Sequence, residues 1–479
     1  MNFQYRSFEK ELEKGKKELK KAWEKEDIYK TICYLRYLTC FYYTINYRLT
    51  DNELEMITAD ASLKLLGETK LQQINQNKVI FYDGFALAAR GLAGIYVKAL
   101  CDLGFEVTWI MYKWAPDYNE IHKKFSTRNV DFIKITSNNI LDRMRELRDI
   151  VQNISPKCIF IYTTPDDVGG IGTFSTINGR TIRFLVDLTD HAFWLGKCAT
   201  DYVIGFRNVG YNAAVTYRIF DKDKVLLLPY YPEKREEYSF EGMPFDYKKH
   251  EFVFSGGSPY KIEGSTLYED LVCYILNKNQ DMYFVFAGNG NNEILERLKK
   301  KYPKRFFQID ERKDLDQVMK LAKFYLSTYP MFGALMAQYA ITNKCIPVSL
   351  CNMDTPLANP ATLVLHPEKA NFISDSVDEI CKFIDYIMSD EEYYQSVKND
   401  LDDQVISEND FKEVLESIIL HQDSKYKGHL EDTDIQSFLD IYKKRASKDL
   451  YVKTIGNSRN RWVYRRHPLI WLKRKLGLL

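Results

Sequence analysis

The sequence predicts an α/β protein of two open, parallel-sheet halves, preceded by a helical segment and followed by a basic tail. Three observations carry this. Short apolar runs bounded by turn residues, such as KVIFYD (78–83), HEFVFSGG (250–257) and KFYLSTYP (323–330), have the length and composition of buried strands. Stretches of helical length alternate with them, the pattern of parallel strands joined by crossover helices. At 479 residues, 45% hydrophobic and 28% charged, the chain is long enough for each half to bury its own core.

Residues 1–75 are helical by pattern. SFEKELEKGKKELKKAWEKED is a charged, solvated helix, IYKTICYLRYLTCFYYTINYRL a more apolar one, and Asp51 and Asn52 cap a third, ELEMITADASLKLL. This accessory module suits a partner surface or a lid, and its residues do not choose between them.

The first α/β half spans 76–235. KVIFYD is a strand, GFALAARG a loop, LAGIYVKALCDLG a helix closed by Gly104, and FEVTWIMY a second strand. The loop glycines, Gly84 and Gly91, with Arg90, do not make the dinucleotide fingerprint G-x-G-x-x-G. KCIFIYTTP is a further strand, and the glycine-rich DDVGGIGTFSTINGR after it reads as a turn or hairpin. RFLVDL then delivers Thr189, Asp190 and His191 to a strand's carboxyl end, where open α/β sheets contact ligands. Of seven histidines, His191 alone has such a place, with Asp187 and Asp190 near enough to hold it or to bind hydroxyls. A structural histidine beside Phe193 and Trp194 is the alternative. DYVIGFR and KVLLLPYYP lead to the second half.

That half spans 236–420. HEFVFSGG ends in Gly256 and Gly257, with Lys261 shortly after; MYFVFAGNGNNEILERLKKKY is a strand, a turn carrying Gly288 and Gly290, and a helix. FFQIDERKDLDQVMKLA follows, with Arg312 in its loop, either a ligand contact or one base of a charged surface. KFYLSTYP, GALMAQYAITN and CIPVSL then make a strand, a helix opened by Gly333 and another strand. Such a glycine lets a ligand approach the backbone, and the free N–H groups of the first helical turn attract phosphate. A loop and strand, PLANPATLVLHPEKANFISDS, and paired helices, VDEICKFIDYIMSDEEYYQSVKND, end the half.

Residues 421–479 read as a polar linker and a basic amphipathic tail. The net charge is +1, yet residues 443–479 hold twelve Lys or Arg against Asp449 alone, leaving the other 442 residues at −10. Bases interleaved with Trp462, Trp471 and several leucines suit an anionic membrane surface. Docking on a partner or on the chain's own acidic surface is the alternative. Nucleic acid is set aside, because no nucleic-acid fold accompanies the charge. Nine scattered cysteines without a C-x-x-C pair suggest reduced thiols, and the apolar runs are too short for a signal peptide or membrane span, so a cytoplasmic protein is expected.

Over roughly residues 78–400 the chain resembles a GT-B glycosyltransferase, close to the family 4 enzymes that use nucleotide sugars. The resemblance rests on the element pattern and on Ser327 to Val348, where Ala340, Pro347 and Val348 fall in the family's places. It implies two Rossmann-like domains, the first holding a saccharide or lipid-linked acceptor and the second a nucleotide-diphosphate sugar. It also implies that Gly256, Gly257, Lys261, Gly288, Arg312, Gly333, Ala334 and Gln338 surround the donor. Gly84, Arg90 and Gly91 would form the first loop, and His191, with Asp190 and Asp187, would face the donor sugar.

Two departures stand out. The family's arginine beside the strand-end glycine is missing, so Arg312 or the helix at Gly333 would have to assist Lys261. If Gln338 takes the second of two glutamates spaced by seven residues, the first falls on Pro330, which offers no polar group. No D-x-D motif sits at a plausible strand end, so transfer without a metal, and without a cofactor beyond the sugar nucleotide, is expected. The implied activity is sugar transfer in bacterial cell-surface polysaccharide or glycoconjugate synthesis, at the inner face of the plasma membrane. A GT-B sugar-nucleotide epimerase and a non-catalytic scaffold binding a partner transferase are the alternatives.

Overall fold

The computed structural model of the chain describes residues 3–46, 48–87, 92–234, 238–352, 359–431, 439–440, 442–443 and 446–455, with positions 468, 469, 472 and 476. Two compact units emerge, Met1–Leu228 with Lys412–Leu479, and Pro229–Phe411.

The first unit opens with three helices, α1 (Phe3–Glu24), α2 (Ile28–Ile45) and α3 (Asn52–Leu66). Asp51 caps α3 as expected, accepting from the N–H groups of Glu53 and Leu54. A seven-stranded sheet follows, formed by β1 (Asn75–Asp83), β2 (Glu106–Tyr112), β3 (Val130–Ile135), β4 (Pro156–Tyr162), β5 (Ile182–Asp187), β6 (Tyr202–Gly205) and β7 (Val225–Leu227). Its order is β3-β2-β1-β4-β5-β6-β7, and every pairing is parallel. The crossovers include α4 (Ala93–Asp102), α5 (Tyr118–Phe125), α6 (Ile140–Ile154), α7 (Val168–Ser175) and α8 (Asn208–Asn212). Strands covered on both faces must be apolar throughout, which is why β1 and β4 end in unbroken buried runs.

Helices α1–α3 share one continuous apolar core with this sheet. Buried Glu55 of α3 fastens them further, accepting from the N–H groups of Gly196, Lys197 and Cys198 at 2.8–3.1 Å.

The glycine-rich stretch at 166–180 is a correction. It is the buried helix α7, not a hairpin. Its glycines serve close packing: a Cβ on Gly170 would meet the Tyr82 hydroxyl at 2.5 Å, and one on Gly172 the Ser62 Oγ at 2.3 Å. Asp167 offsets their poor helix propensity by capping the first turn through Gly170 N–H.

The second unit repeats the winding with six parallel strands, β8 (Phe252–Gly256), β9 (Tyr283–Ala287), β10 (Phe306–Ile309), β11 (Phe324–Leu326), β12 (Ile346–Leu350) and β13 (Ile373–Ser374). Their order, β10-β9-β8-β11-β12-β13, again reverses beside the first strand of the unit, the doubly wound arrangement. Helices α9 (Leu267–Lys278), α10 (Glu293–Lys301), α11 (Leu315–Leu321), α12 (Ala334–Thr342), α13 (Val377–Ser389) and α14 (Glu391–Asn399) follow in turn. Then α15 (Glu408–His421) carries the chain onward.

The expected linker after residue 421 is a second correction where it is described. Ser424 Oγ donates to Leu227 O, Tyr426 bridges Leu227 in antiparallel fashion, and His429 and Glu431 N–H bond to Asn208 and Asn212. These bonds cover the free edge of β7, which a polar strand-like segment can do without any apolar signature. The root of the basic tail also belongs to the fold. In α16 (Lys448–Ile455) Ile455 is fully buried, and Tyr451 packs edge-on against Phe8 and Phe41. Most of the tail beyond lies outside the described residues, and among those described no helix is long and apolar enough to cross a membrane.

Candidate functional site

In the second unit, the carboxyl end of β8 meets the amino end of α12. Gly256 ends β8, and Gly257 takes a left-handed φ of +137°, where its N–H bonds to Ala287 O. A Cβ on Gly288 would fall 2.2 Å from Gly257 O, and one on Gly256 2.8 Å from Ala287 O. Two backbones therefore touch here, and only glycine permits it. The short turn Pro259–Ile262 carries Lys261 over this floor. Lys261 O accepts from Met331 N–H, and Lys261 Nζ donates to Phe332 O at 3.4 Å. The lysine is thus tied to the loop that leads into Gly333, the N-cap of α12, and Ala334, its first residue.

Lys261 is half-buried, yet no carboxylate pairs with it among the described residues. Burial holds its ammonium below the ordinary lysine value. Such a cation, partly desolvated beside the first turn of a helix, has the chemistry to take an anion. Gln338, 3% exposed on α12, donates from Nε2 to Tyr230 O at 3.2 Å, and its Oε1 has no partner among the described residues.

Arg312 is committed elsewhere. It is buried, gripping Asp314 through Nε and Nη2 at 2.7 and 2.5 Å and donating from Nη1 to Gly242 O. Asp314 in turn accepts from Glu241 N–H, so the pair clamps residues 240–242. A groove of about 590 Å³ nearby is lined by Gly264, Ser265, Thr266, Asn291, Asn292 and Arg297 among others, none of them from the glycine floor.

The first unit concentrates charge at the end of β5. Asp190 is fully buried and takes a two-point bond from Arg207, Nε to Oδ2 at 2.6 Å and Nη2 to Oδ1 at 2.9 Å. Burial acts to raise its carboxyl, but the Arg207 guanidinium outweighs that and holds it far below the usual carboxylate range. His191 Nδ1 lies 3.2 Å from Asp190 Oδ1, and the imidazole remains 30% exposed. Asn46 braces the loop, donating to His191 O and accepting from Phe193 N–H. Asp187 pairs with fully buried Arg218 at 3.2 Å; its burial pushes the carboxyl up to about 6, which Arg218 offsets only in part. The structure therefore brings His191, Asp190 and Asp187 together, with only the imidazole reaching solvent.

Gly84 packs so closely that a Cβ would lie 1.9 Å from Thr163 Oγ1. Asp83 shapes that loop, accepting from Phe85 and Ala86 N–H and from Trp109 Nε1. Arg90 and Gly91 lie outside the described residues. Arg207, Arg218 and Asp314 escaped the sequence reading, since pairing partners 2 to 31 residues apart follow no local pattern.

No protein-family model and no curated protein sequence matches the chain. Solved structures do. A glycosyltransferase from Rickettsia africae superposes with a TM-score of 0.52 at 11% identity, covering 78% of this chain and all of its own. TarM of S. aureus, solved with UDP, gives 0.51 at 9% identity over 72% of this chain and all of its own. A UDP-N-acetylglucosamine 2-epimerase gives 0.50 at 11% identity, covering 75% of this chain and 99% of its own. The chain has the GT-B fold. At these identities the likeness establishes the fold alone, and the family 4 resemblance remains an expectation.

Proposed function

We propose that the protein is a glycosyltransferase whose second unit holds a nucleotide-diphosphate sugar. The observation that carries this is Lys261, a half-buried cation without a carboxylate partner among the described residues, seated over a glycine floor beside the start of α12. A diphosphate would bring the opposite charge to Lys261. Its oxygens would take Lys261 Nζ and the N–H groups around Gly333 and Ala334, and those contacts strengthen as charge builds on the leaving phosphate. Arg312 holds structure in this reading and does not assist. Gln338 Oε1 is placed on the nucleotide side as an acceptor for a ribose hydroxyl. The UDP in the TarM structure supports a uridine nucleotide as the first to try.

His191 takes the role of the group facing the donor sugar. Asp190 orients the imidazole, and Arg207 and Asp187–Arg218 hold Asp190 in turn. The basic tail is assigned to an anionic membrane surface, which fits a lipid-linked saccharide acceptor in a cell-surface polymer pathway.

Epimerase chemistry is the second reading, favoured by the 2-epimerase among the structural neighbours. Incubation with UDP-sugars separates the two. Free UDP that forms only with a saccharide acceptor supports transfer, whereas a new UDP-sugar epimer formed without acceptor supports epimerisation and overturns the first reading.

A further inference from the structure

We infer that the carboxyl end of the first sheet carries a saccharide subsite, which stacks a sugar ring on Trp114 and binds the ring's carboxylate or phosphate through Arg143. Its identity as an acceptor site rests on the glycosyl-transfer reading; binding itself does not.

The topology marks the place. From β1 the chain winds through α4 to β2 and β3 on one side, then crosses by α6 to β4 on the other. Ligands of doubly wound sheets bind outside the strand ends where the winding reverses, here between β1 and β4. A crevice of about 40 Å³ opens there, lined by Gly84 after β1, Thr164 and Asp166 after β4, Tyr112 at the end of β2, Arg143 of α6 and Arg36 of α2. Arg36 makes the N-terminal helices part of this wall.

Trp114 forms the rim. Its ring is 49% exposed and lies flat on Tyr112, with centroids 4.6 Å apart and planes at 9°. Tyr112 is itself fixed from below. Tyr82 OH and Thr163 Oγ1 approach Asp167 Oδ2 at 2.6 and 2.8 Å, and Tyr112 OH and Gly170 N–H approach Oδ1 at 3.1 Å each. With all its lone pairs engaged, Asp167 positions the aromatic pair and has nothing left for a ligand. The result is a rigid, wet aromatic plate, a surface that gains by covering and loses little entropy in doing so.

Arg143 gives the plate its charge preference. Its guanidinium carbon sits 4.9 Å from the Trp114 centroid, and Nη1 donates to Asn138 O at 2.7 Å. No carboxylate pairs with it among the described residues, although it is half-buried. A guanidinium held against the aromatic pair suits two-point capture of a carboxylate or phosphate on a ring stacked there.

An array of acidic oligosaccharides, bearing uronate, sialate or phosphate groups, and of neutral ones of equal length tests this on the full chain. Acidic members should be retained over neutral ones. W114A should weaken that retention at least tenfold, W114F should keep most of it, and R143Q should erase the preference for acid while sparing neutral binding. Melting with UDP should be unchanged in all three variants, so failure here is distinct from failure of the donor site. Retention of no glycan, equal retention by W114A, or an acid preference that survives R143Q overturns the proposal.

Discussion

The strand end of β5 and the strand end of β8 hold buried charge in opposite ways. At β5, Asp190 and Asp187 face Arg207 and Arg218, so each carboxylate has its cation inside the protein. At β8, Lys261 meets a carbonyl oxygen and no carboxylate among the described residues. Removing a charge from water is costly, and an internal partner recovers much of that cost while an absent one leaves it standing. Compensated charge holds a fold together; uncompensated charge waits for a ligand. Arg312 shows how easily the two are confused in a sequence, since its pairing with Asp314 makes it the first kind.

The largest expected effect breaks the compensated region. Asp190→Asn removes the carboxylate that Arg207 grips at two points inside the protein and should cost about 3–5 kcal/mol in denaturant unfolding. Because the Asp190 carboxyl is depressed in the fold, its contribution is present above the unfolded carboxylate pKa of about 3.9 and is lost as pH falls toward the folded value. The variant should therefore lose that part of the acid dependence. A variant as stable as the parent would mean the pair is not structural.

Next comes the tail. Truncation after Ile455 removes seven of its bases and both of its tryptophans but spares Tyr451 and Ile455. At about 1 kcal/mol per base near an anionic surface, loss of even half those contacts should abolish vesicle binding at low salt, leaving the melting temperature unchanged. Truncation after Asp449 should also loosen α1 and α2, because Tyr451 and Ile455 pack there. Equal vesicle binding by full-length and truncated chains would rule out the anchor.

Lys261→Ala should lower turnover by about 2–4 kcal/mol of transition-state stabilisation with no loss of folding stability, the reverse of the Asp190 result. His191→Ala is the smallest in stability, within about 1 kcal/mol at a partly exposed ring, yet activity should fall. Loss of folded protein instead would make His191 structural.

Strand–helix alternation was legible in the sequence because fully buried parallel strands leave unbroken apolar runs, as in β1, β4 and β11, and because Asp51 and Gly104 mark helix ends by local chemistry. Helix α7 was not, since Gly169, Gly170 and Gly172 read as turn residues until Tyr82 and Ser62 are seen packed against them. Strand β3, VDFIKI, went unread because its alternating charges hide a strand at the sheet edge, with only Ile135 fully buried. At the candidate site, short motifs single out Lys261 and Gly333, which the structure places beside each other. The commitments of Arg312, Asp187 and Asp190 were not, because they are set by tertiary neighbours.

Titration calorimetry of UDP against the wild type and Lys261→Met tests the uncompensated-charge reading most directly. Wild type should bind, with affinity falling as pH rises through the lowered lysine value, because the cation that meets the diphosphate is lost there. Lys261→Met should bind at least tenfold more weakly, with no loss of melting temperature in the absence of nucleotide. Equal affinity in the two proteins, or a wild type that ignores UDP and every other nucleoside diphosphate, would contradict the assignment of Lys261 to a waiting phosphate site.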